Sequence, residues 1–262
     1  MADGVGVAER GTVPQRTARR MIREALRRGL VPGDRLASEA TLMSYFGVSR
    51  GSLREALRVL AFLGGIEIRP GPGGGPRIAM PQPHVVGSSL AMALQFRGAT
   101  LRTLVEARAA MEPSIAALAA LRRKDDDLAA LESCVQRTEA EVGSDELVRP
   151  NHRFSELLAA AAGNEALTLL VAAMTSMSRA VDWRYDRPTQ QRIASEKRAI
   201  VDAVRARDEA SARALVAAMF AGVLDDPRNA GHLSARVVWP DVDELMHERE
   251  EDDEEKGDTV WT

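Results

Sequence analysis

Arg50, Arg54 and Arg58 recur every four residues, with Ser49 and Ser52 at the head of the same run. On a helix, that spacing sets three guanidiniums in a row along one face. A guanidinium is a planar fork of donors that matches paired acceptors such as guanine O6 and N7, and hydroxyls reach bases or phosphates. Leu53, Ala56, Leu57, Leu60 and Leu63 fall in a separate arc, roughly 140° from the arginines by the helical period. One face is suited to packing and the other to meeting an anion. An arginine-rich solvated face would look the same, so the neighbouring elements must decide.

Those elements are in order. Thr12 to Gly29 reads as a first helix, with Met21, Ile22, Ala25 and Leu26 at helical spacing. Val31 to Asp34 is a turn. Ser38 reads as the N-cap of a short helix from Glu39 to Phe46, and Gly47-Val48 ends it after two turns. Ser49 caps the arginine-bearing helix, expected from Arg50 to Leu63, and Gly64-Gly65 stops it. Ile66 to Arg69 alternates like a strand, Pro70 to Pro76 is a glycine-rich turn, and Arg77 to Met80 returns as a second strand. Helix, helix, tight turn, helix, hairpin is the order of a winged helix-turn-helix. Gly71 to Gly75 is not a phosphate-cradling enzyme loop, because no Gly-Lys-Ser/Thr follows and no strand-loop-helix surrounds it. A wing tip approaching DNA fits it better.

Charge is distributed to match. Residues 1–80 hold thirteen arginines against seven acidic residues, a net +6, whereas 81–240 are neutral and 241–262 carry −9. The basic first third suits a polyanion, and the acidic end reads as a solvated tail. Cys134 is the single cysteine, so no intrachain disulfide can form. With no apolar N-terminal core and no apolar run of about 18 residues, the sequence predicts a cytoplasmic protein without a membrane segment. No nucleophile elbow, His-Cys pair, metal-ligand cluster or nucleotide loop is present, which argues against an enzyme. No cofactor is expected.

The stretch from Leu30 to Glu39, followed by Phe46-Gly47-Val48-Ser49-Arg50-Gly51-Ser52-Leu53-Arg54-Glu55-Ala56-Leu57, resembles the DNA-binding domain of the GntR family of bacterial regulators. The resemblance implies that Arg50 and Arg54 are main DNA contacts, assisted by Ser49, Ser52 and Gly71. Arg35, Ser38, Arg58 and Arg69 complete the set expected at DNA. One departure is Ala40, where the family usually carries an arginine, so one contact is expected to be missing.

Beyond the linker Pro81-Gln82-Pro83 the patterns are helical, at about 85–97, 100–123, 125–142, 147–162, 164–183, 188–207 and 208–224. Glu106-Ala107-Arg108 through Glu112, Ala116 to Ala120, Phe154 to Leu158, Gly163-Asn164, and Ala199 through Asp208 resemble the FCD ligand domain of the FadR branch. Many members of that group hold a divalent metal through one Asp and three His, and the metal fixes a carboxylate effector. Here those positions are Asn151, Ser155, Lys197 and Met219, which cannot replace imidazoles and a carboxylate. The expectation is a metal-free pocket in which Lys197 and Arg108 hold an anionic head, with Met174, Met177 and Met219 as an apolar wall or as core. His152 is expected at the surface or a helix start, not as a ligand. Trp183 and Tyr185 read as either a pocket lid or surface packing.

The sequence therefore predicts a mainly α protein: a winged helix-turn-helix with a β-hairpin wing, then an antiparallel bundle of about seven helices. The expected divisions are a disordered 1–12, a DNA-binding domain 13–80, a linker and linker helix 81–99, an effector-binding and dimerisation domain 100–230, and an acidic tail 231–262. The expected function is a homodimeric transcriptional regulator, in the sense of a repressor, on a palindromic operator in double-stranded DNA. The resemblance suggests a fatty acid or acyl thioester as its effector. The alternative is a constitutive or architectural DNA-binding dimer with a vestigial effector domain.

Overall fold

The computed structural model describes residues 11–71, 74–144, 148–179 and 184–238, and side chains of 148–151 and 179 are not described. Of the segment 1–12 expected to be disordered, 1–10 lie outside these residues, as does most of the acidic tail, whereas Thr12 is ordered as the cap of the first helix. The chain divides into two units, one ending at Val85 and one beginning at Val86.

The first unit opens with α1 (Val13–Arg27). Thr12 caps it in a reciprocal arrangement: Gln15 N donates to Thr12 Oγ1 at 3.4 Å, and Thr12 N donates to Gln15 Oε1 at 3.0 Å. α2 (Glu39–Phe46) begins at Ser38, whose Oγ accepts from Thr41 N at 3.2 Å. It ends at Gly47, which lies in the left-handed region at φ 65°. A side chain there would be strained, so the sharp turn into α3 (Arg50–Phe62) depends on the glycine. Ala18, Met21, Leu42, Phe46, Leu53, Ala56, Leu57, Leu60 and Ile66 form the core of this unit. Two residues expected in it are outside. Leu26 is 70% exposed because it falls beyond the stripe set by Met21 and Ala25. Leu63 is the C-cap of α3, past the last packed turn, and is 49% exposed.

The wing pairs β1 (Ile66–Arg69) with β2 (Gly75–Ile78), antiparallel, in the register Ile66 to Ile78 and Arg69 to Gly75. The second strand thus begins two residues before the expected Arg77. The reason is pairing on its other edge: Gly33 N donates to Ile78 O at 2.8 Å, Leu36 N to Pro76 O at 2.9 Å, and Ile78 N to Asp34 O at 2.9 Å. The segment after α1 is therefore a turn that continues into a third edge, with Arg35 bridged to Arg77.

The second unit contains α4 (Pro83–Phe96, its start in the first unit), α5 (Leu101–Arg122), α6 (Asp125–Ala140), α7 (Val148–Ala161), α8 (Glu165–Arg179), α9 (Arg187–Arg205), α10 (Glu209–Asp225) and α11 (Ala230–Ser234). α5 is central and packs on α7, α8, α9 and α10. Its buried residues include Leu101, Leu104, Ile115, Ala116, Ala119 and Ala120. The small side chains let neighbouring helices approach closely. α4 meets α8 at Gly87, where a Cβ would lie 2.6 Å from Ser176 Oγ and 3.0 Å from Ala173 O.

The bundle does not end at residue 230. Leu233 and Val237 are both 1% exposed and belong to its core. Leu101 N donates to Ala235 O at 2.9 Å, and Val237 N donates to Ala99 O at 3.2 Å. The short α11 and the strand-like residues after it carry too few apolar positions to show a period, so the sequence pattern hid them. Among the described residues no helix is long and apolar enough to cross a membrane.

Candidate nucleic-acid interface and effector cavity

α3 carries the cationic face. Its apolar residues Leu53, Ala56, Leu57 and Leu60 are buried, which turns the opposite face outward. The side chains of Arg50, Arg54 and Arg58 are 67%, 56% and 73% exposed. Sequence reasoning missed the group that organises two of them. The Glu39 carboxylate, at the start of α2, reaches Arg50 Nε at 3.4 Å through Oε2 and Arg54 Nε at 3.6 Å through Oε1. Arg58 is tied to Glu55 in its own helix at 2.5 Å.

The serines at the helix head are caps. Ser49 Oγ accepts from Ser52 N at 3.2 Å and donates to Ser52 Oγ at 3.1 Å. Ser38 holds α2 in the same way and lies 2.9 Å from Thr41 Oγ1. These hydroxyls fix the helix starts, and the free donors at those starts favour an anion such as phosphate. On the wing, Arg69 Nε donates to Glu67 Oε1 at 2.6 Å, Gly71 is exposed in the turn, and Arg35 is exposed beside β2. The nine residues expected at DNA thus all lie in the first unit. Three exposed arginines on one helix face are fitted to a groove, and wing and cap groups to the backbone.

The second unit encloses a cavity of about 90 Å³. Five helices line it, α8 through Ser178. Arg108 comes from α5, His152, Phe154 and Ser155 from α7, Glu196 and Lys197 from α9, and Met219 and Phe220 from α10. Arg108, Ser155, Lys197 and Met219 were expected there; the side chain of Asn151 is outside the described residues. Met174 and Met177 are buried in the general core and do not line the cavity. Tyr185 does line it; Trp183 is not described.

The electrostatics differ from the expectation. Arg108 is not a free cation: Nε donates to the buried Glu112 Oε1 at 2.5 Å, and Nη2 donates to Ser155 Oγ at 2.9 Å. Its Cζ also stacks 5.3 Å from the centroid of Phe220. Lys197 is 1% exposed, with Nζ 5.1 Å from the centroid of Phe154. Burial holds its ammonium down to about 7, against the opposite pull of Cys134 and Glu141. Arg192 pairs with Glu196 at 2.8 Å.

His152 is a correction. It is 7% exposed and lines the cavity, not the surface. Its neighbours Phe154 and Ser155 face inward too, and the wide buried arc of α7 includes the histidine, which a narrow helical stripe would have left outside. The donor set does not fit the divalent metal of the FadR branch. Among the described residues no group of three His, Cys, Asp or Glu could hold an ion, and a lysine and an arginine line the space. The cavity is small, about 90 Å³, against about 300–1,000 Å³ for pockets that take drug-sized ligands.

Comparisons with known proteins agree with the two units. The pattern of the bacterial regulatory proteins of the gntR family matches residues 14–74, and that of the FCD domain matches 103–222. The HTH-type transcriptional regulator LutR of Bacillus subtilis (strain 168) is 30% identical over 205 residues, covering 75% of this chain and 92% of that protein. The galactonate operon transcriptional repressor of Escherichia coli (strain K12) is 28% identical over 197 residues, covering 73% and 86%. The solved structure of a Streptococcus agalactiae GntR covers 81% of this chain and all of its own, at 26% identity and a TM-score of 0.65.

Proposed function

Since the chain belongs to the GntR family of DNA-binding transcriptional regulators and carries an FCD effector-binding domain, we propose that it is a homodimeric repressor released from a palindromic operator by a compact anionic effector. The observation that carries the DNA half is the exposed row of Arg50, Arg54 and Arg58 above a packed helix face. Arg50 and Arg54 read base edges at the head of the helix. Arg58, Arg35, Arg69, Ser38, Ser49, Ser52 and Gly71 serve the phosphate backbone or place the helix on it. A two-fold dimer then requires an inverted repeat, because the symmetry of the protein is mirrored in the site.

For the effector half, the support is a small enclosed cavity with a buried lysine and an arginine in its wall. On this reading the cavity works without a metal, since Lys197 stands where the resemblance to the FadR branch implies a metal histidine. A relative is named for a galactonate operon, and galactonate is a short hydroxylated carboxylate. That chemistry agrees with a compact acid better than with a long acyl chain. The small size of the cavity also favours a second reading, a constitutive DNA-binding dimer whose effector domain has lost its ligand.

The test starts from DNA selected by the purified protein out of a random pool. An inverted repeat bound by two chains in sedimentation supports the dimeric reader, and a monomer on an asymmetric site refutes it. Operator affinity is then measured against a panel of short hydroxy and oxo acids. Loss of affinity with any of them supports the regulated repressor, and no response across the panel favours the constitutive reading. Metal analysis of the same protein should find well under one equivalent of zinc, nickel or manganese.

A further inference from the structure

We propose that Lys197 is a covalent ligand site, its ε-amine condensing with the carbonyl of a compact oxo acid bound in the helical cavity. The inference rests on the reading of that cavity as the effector site and goes further, naming both the chemical class and the bond.

The first ground is the choice of residue. The chain has three lysines, Lys124, Lys197 and Lys256, among 35 basic residues. Everywhere else along 262 residues its cations are arginines. Arginine stays protonated in proteins, whereas a lysine can lose its proton and become a nucleophile. The cation buried in the cavity wall is a lysine, while Lys124 lies exposed on the surface.

The second ground is its surroundings. Lys197 is 1% exposed and yet lines the cavity, so the approach to it is from the inside. The Phe154 ring lies against the amine at 5.1 Å. The ring face favours the ammonium form, whereas desolvation by burial opposes it and lowers the amine to about 7. A substantial neutral fraction at physiological pH is what carbonyl addition requires.

The third ground is the partner across the space. Arg108 uses Nε on Glu112 and Nη2 on Ser155, while its Nη1 donors have no hydrogen-bond partner among the described residues. Arg108 lines the same cavity as Lys197. A carboxylate on the Nη1 edge gains charge-assisted hydrogen bonds and leaves an adjacent carbonyl to the amine. In a cavity of about 90 Å³, the acid is short.

The chemistry balances without an oxidant. The lysine nitrogen pair attacks the carbonyl carbon, the C–N bond forms, and the carbonyl π pair moves to oxygen. A proton passes from nitrogen to that oxygen, giving the carbinolamine. The oxygen then leaves as water with a second proton from nitrogen, and the C=N bond forms. One water is released, and hydrolysis reverses the step, as a reversible effector requires.

The experiment uses full-length protein, glyoxylate as the probe, and cyanoborohydride to reduce any imine. Peptide mapping separates the three lysines. The expected result is reductive labelling of Lys197 at least about tenfold faster than of Lys124 or Lys256, as for an amine activated by a lowered pKa. Lactate, which has the carboxylate but no carbonyl, should slow labelling of Lys197 alone. Lys197→Arg should abolish the fast phase. If that variant does not fold, lactate protection in the wild type stands in for it. Labelling of Lys197 no faster than of the surface lysines overturns the inference. If glyoxylate or lactate still changes operator affinity in that case, the effector reading survives and the covalent bond does not. If neither acid labels Lys197 rapidly nor changes operator affinity, both fail.

Discussion

Glu39 Oε1 lies 3.6 Å from Arg54 Nε, so an acid on the first turn of α2 holds an arginine of the following helix in place. Its other oxygen reaches Arg50 at 3.4 Å. Both arginines are more than half exposed, and exposed pairs of this kind stabilise the fold little. If α3 reads DNA as proposed, their effect is on reading: the guanidiniums are oriented before DNA arrives, and the carboxylate lowers the local positive potential. Glu39→Gln should leave thermal stability nearly unchanged, tighten binding to random DNA by about two- to fivefold, and narrow the gap between operator and random DNA. Fluorescence anisotropy with both duplexes measures this. An unchanged ratio of the two affinities would count against an orienting role.

Arg50→Ala and Arg54→Ala should each weaken operator binding by ~1–3 kcal/mol, as expected for base-reading arginines. Arg69→Ala, on the wing, should weaken operator and random DNA alike and reduce the salt slope by about one. Titrations at several salt concentrations separate the two kinds of contact. Full operator affinity in both α3 variants, with circular dichroism intact, would remove α3 from the interface.

Gly87→Ala should destabilise the helical unit. The new Cβ would meet Ser176 Oγ at 2.6 Å and Ala173 O at 3.0 Å. Ser176 Oγ already donates to Ala173 O at 2.8 Å, so the hydroxyl cannot turn away without losing that bond. Overpacking of this kind costs about 1–3 kcal/mol. Adding Ser176→Ala removes the nearer atom and should restore part of the loss. Denaturant melts of the single and double variants test the coupling, and additive losses would mean that the two helices move apart instead.

Lys197 should give the protein a stability that rises with pH. Its folded pKa is about 7, below the ordinary 10.5. Between those values the unfolded chain binds the extra proton and is favoured as pH falls. The charged and titratable groups around it are Cys134 from α6 and Glu141 at its C-cap, His152 from α7, Arg192 paired with Glu196 on α9, and Arg108 paired with Glu112 on α5. Burial pushes the Cys134 thiol up, which acts in the opposite direction above its ordinary value of 9.0. The clean window is therefore pH 7 to 9. Chemical denaturation should show stability increasing across it in the wild type and flattening in Lys197→Met. An identical slope in the two proteins would assign the titration elsewhere.

The DNA-reading unit was largely legible in the sequence because its signals are local. Ser38, Gly47 and Ser49 are caps and a turn that act within a few residues, and Leu53, Ala56, Leu57 and Leu60 form a stripe that one helix suffices to define. The existence of seven long helices beyond Pro83 was legible for the same reason. Local signals also set the limits of the reading. Leu26 and Leu63 satisfy the helical period, but where they fall relative to the neighbouring elements leaves both exposed.

What the tertiary structure decided is everything that depends on residues far apart meeting. Glu39 and Arg54 are fifteen positions apart in the chain. Arg108 and Ser155, 47 apart, share a hydrogen bond. The sequence placed Lys197 and Arg108 as two cations for one anion; packing gave Arg108 a buried counter-charge in Glu112 and set Lys197 beside the Phe154 ring, within the field of Cys134 and Glu141. It also turned His152 inward and closed the cavity to about 90 Å³. The physical reason is that a helical period fixes only the direction of a side chain about its own axis. Charge state, cavity size and ligand class depend on distances between helices, and those are set by how side chains from several helices fill the same space.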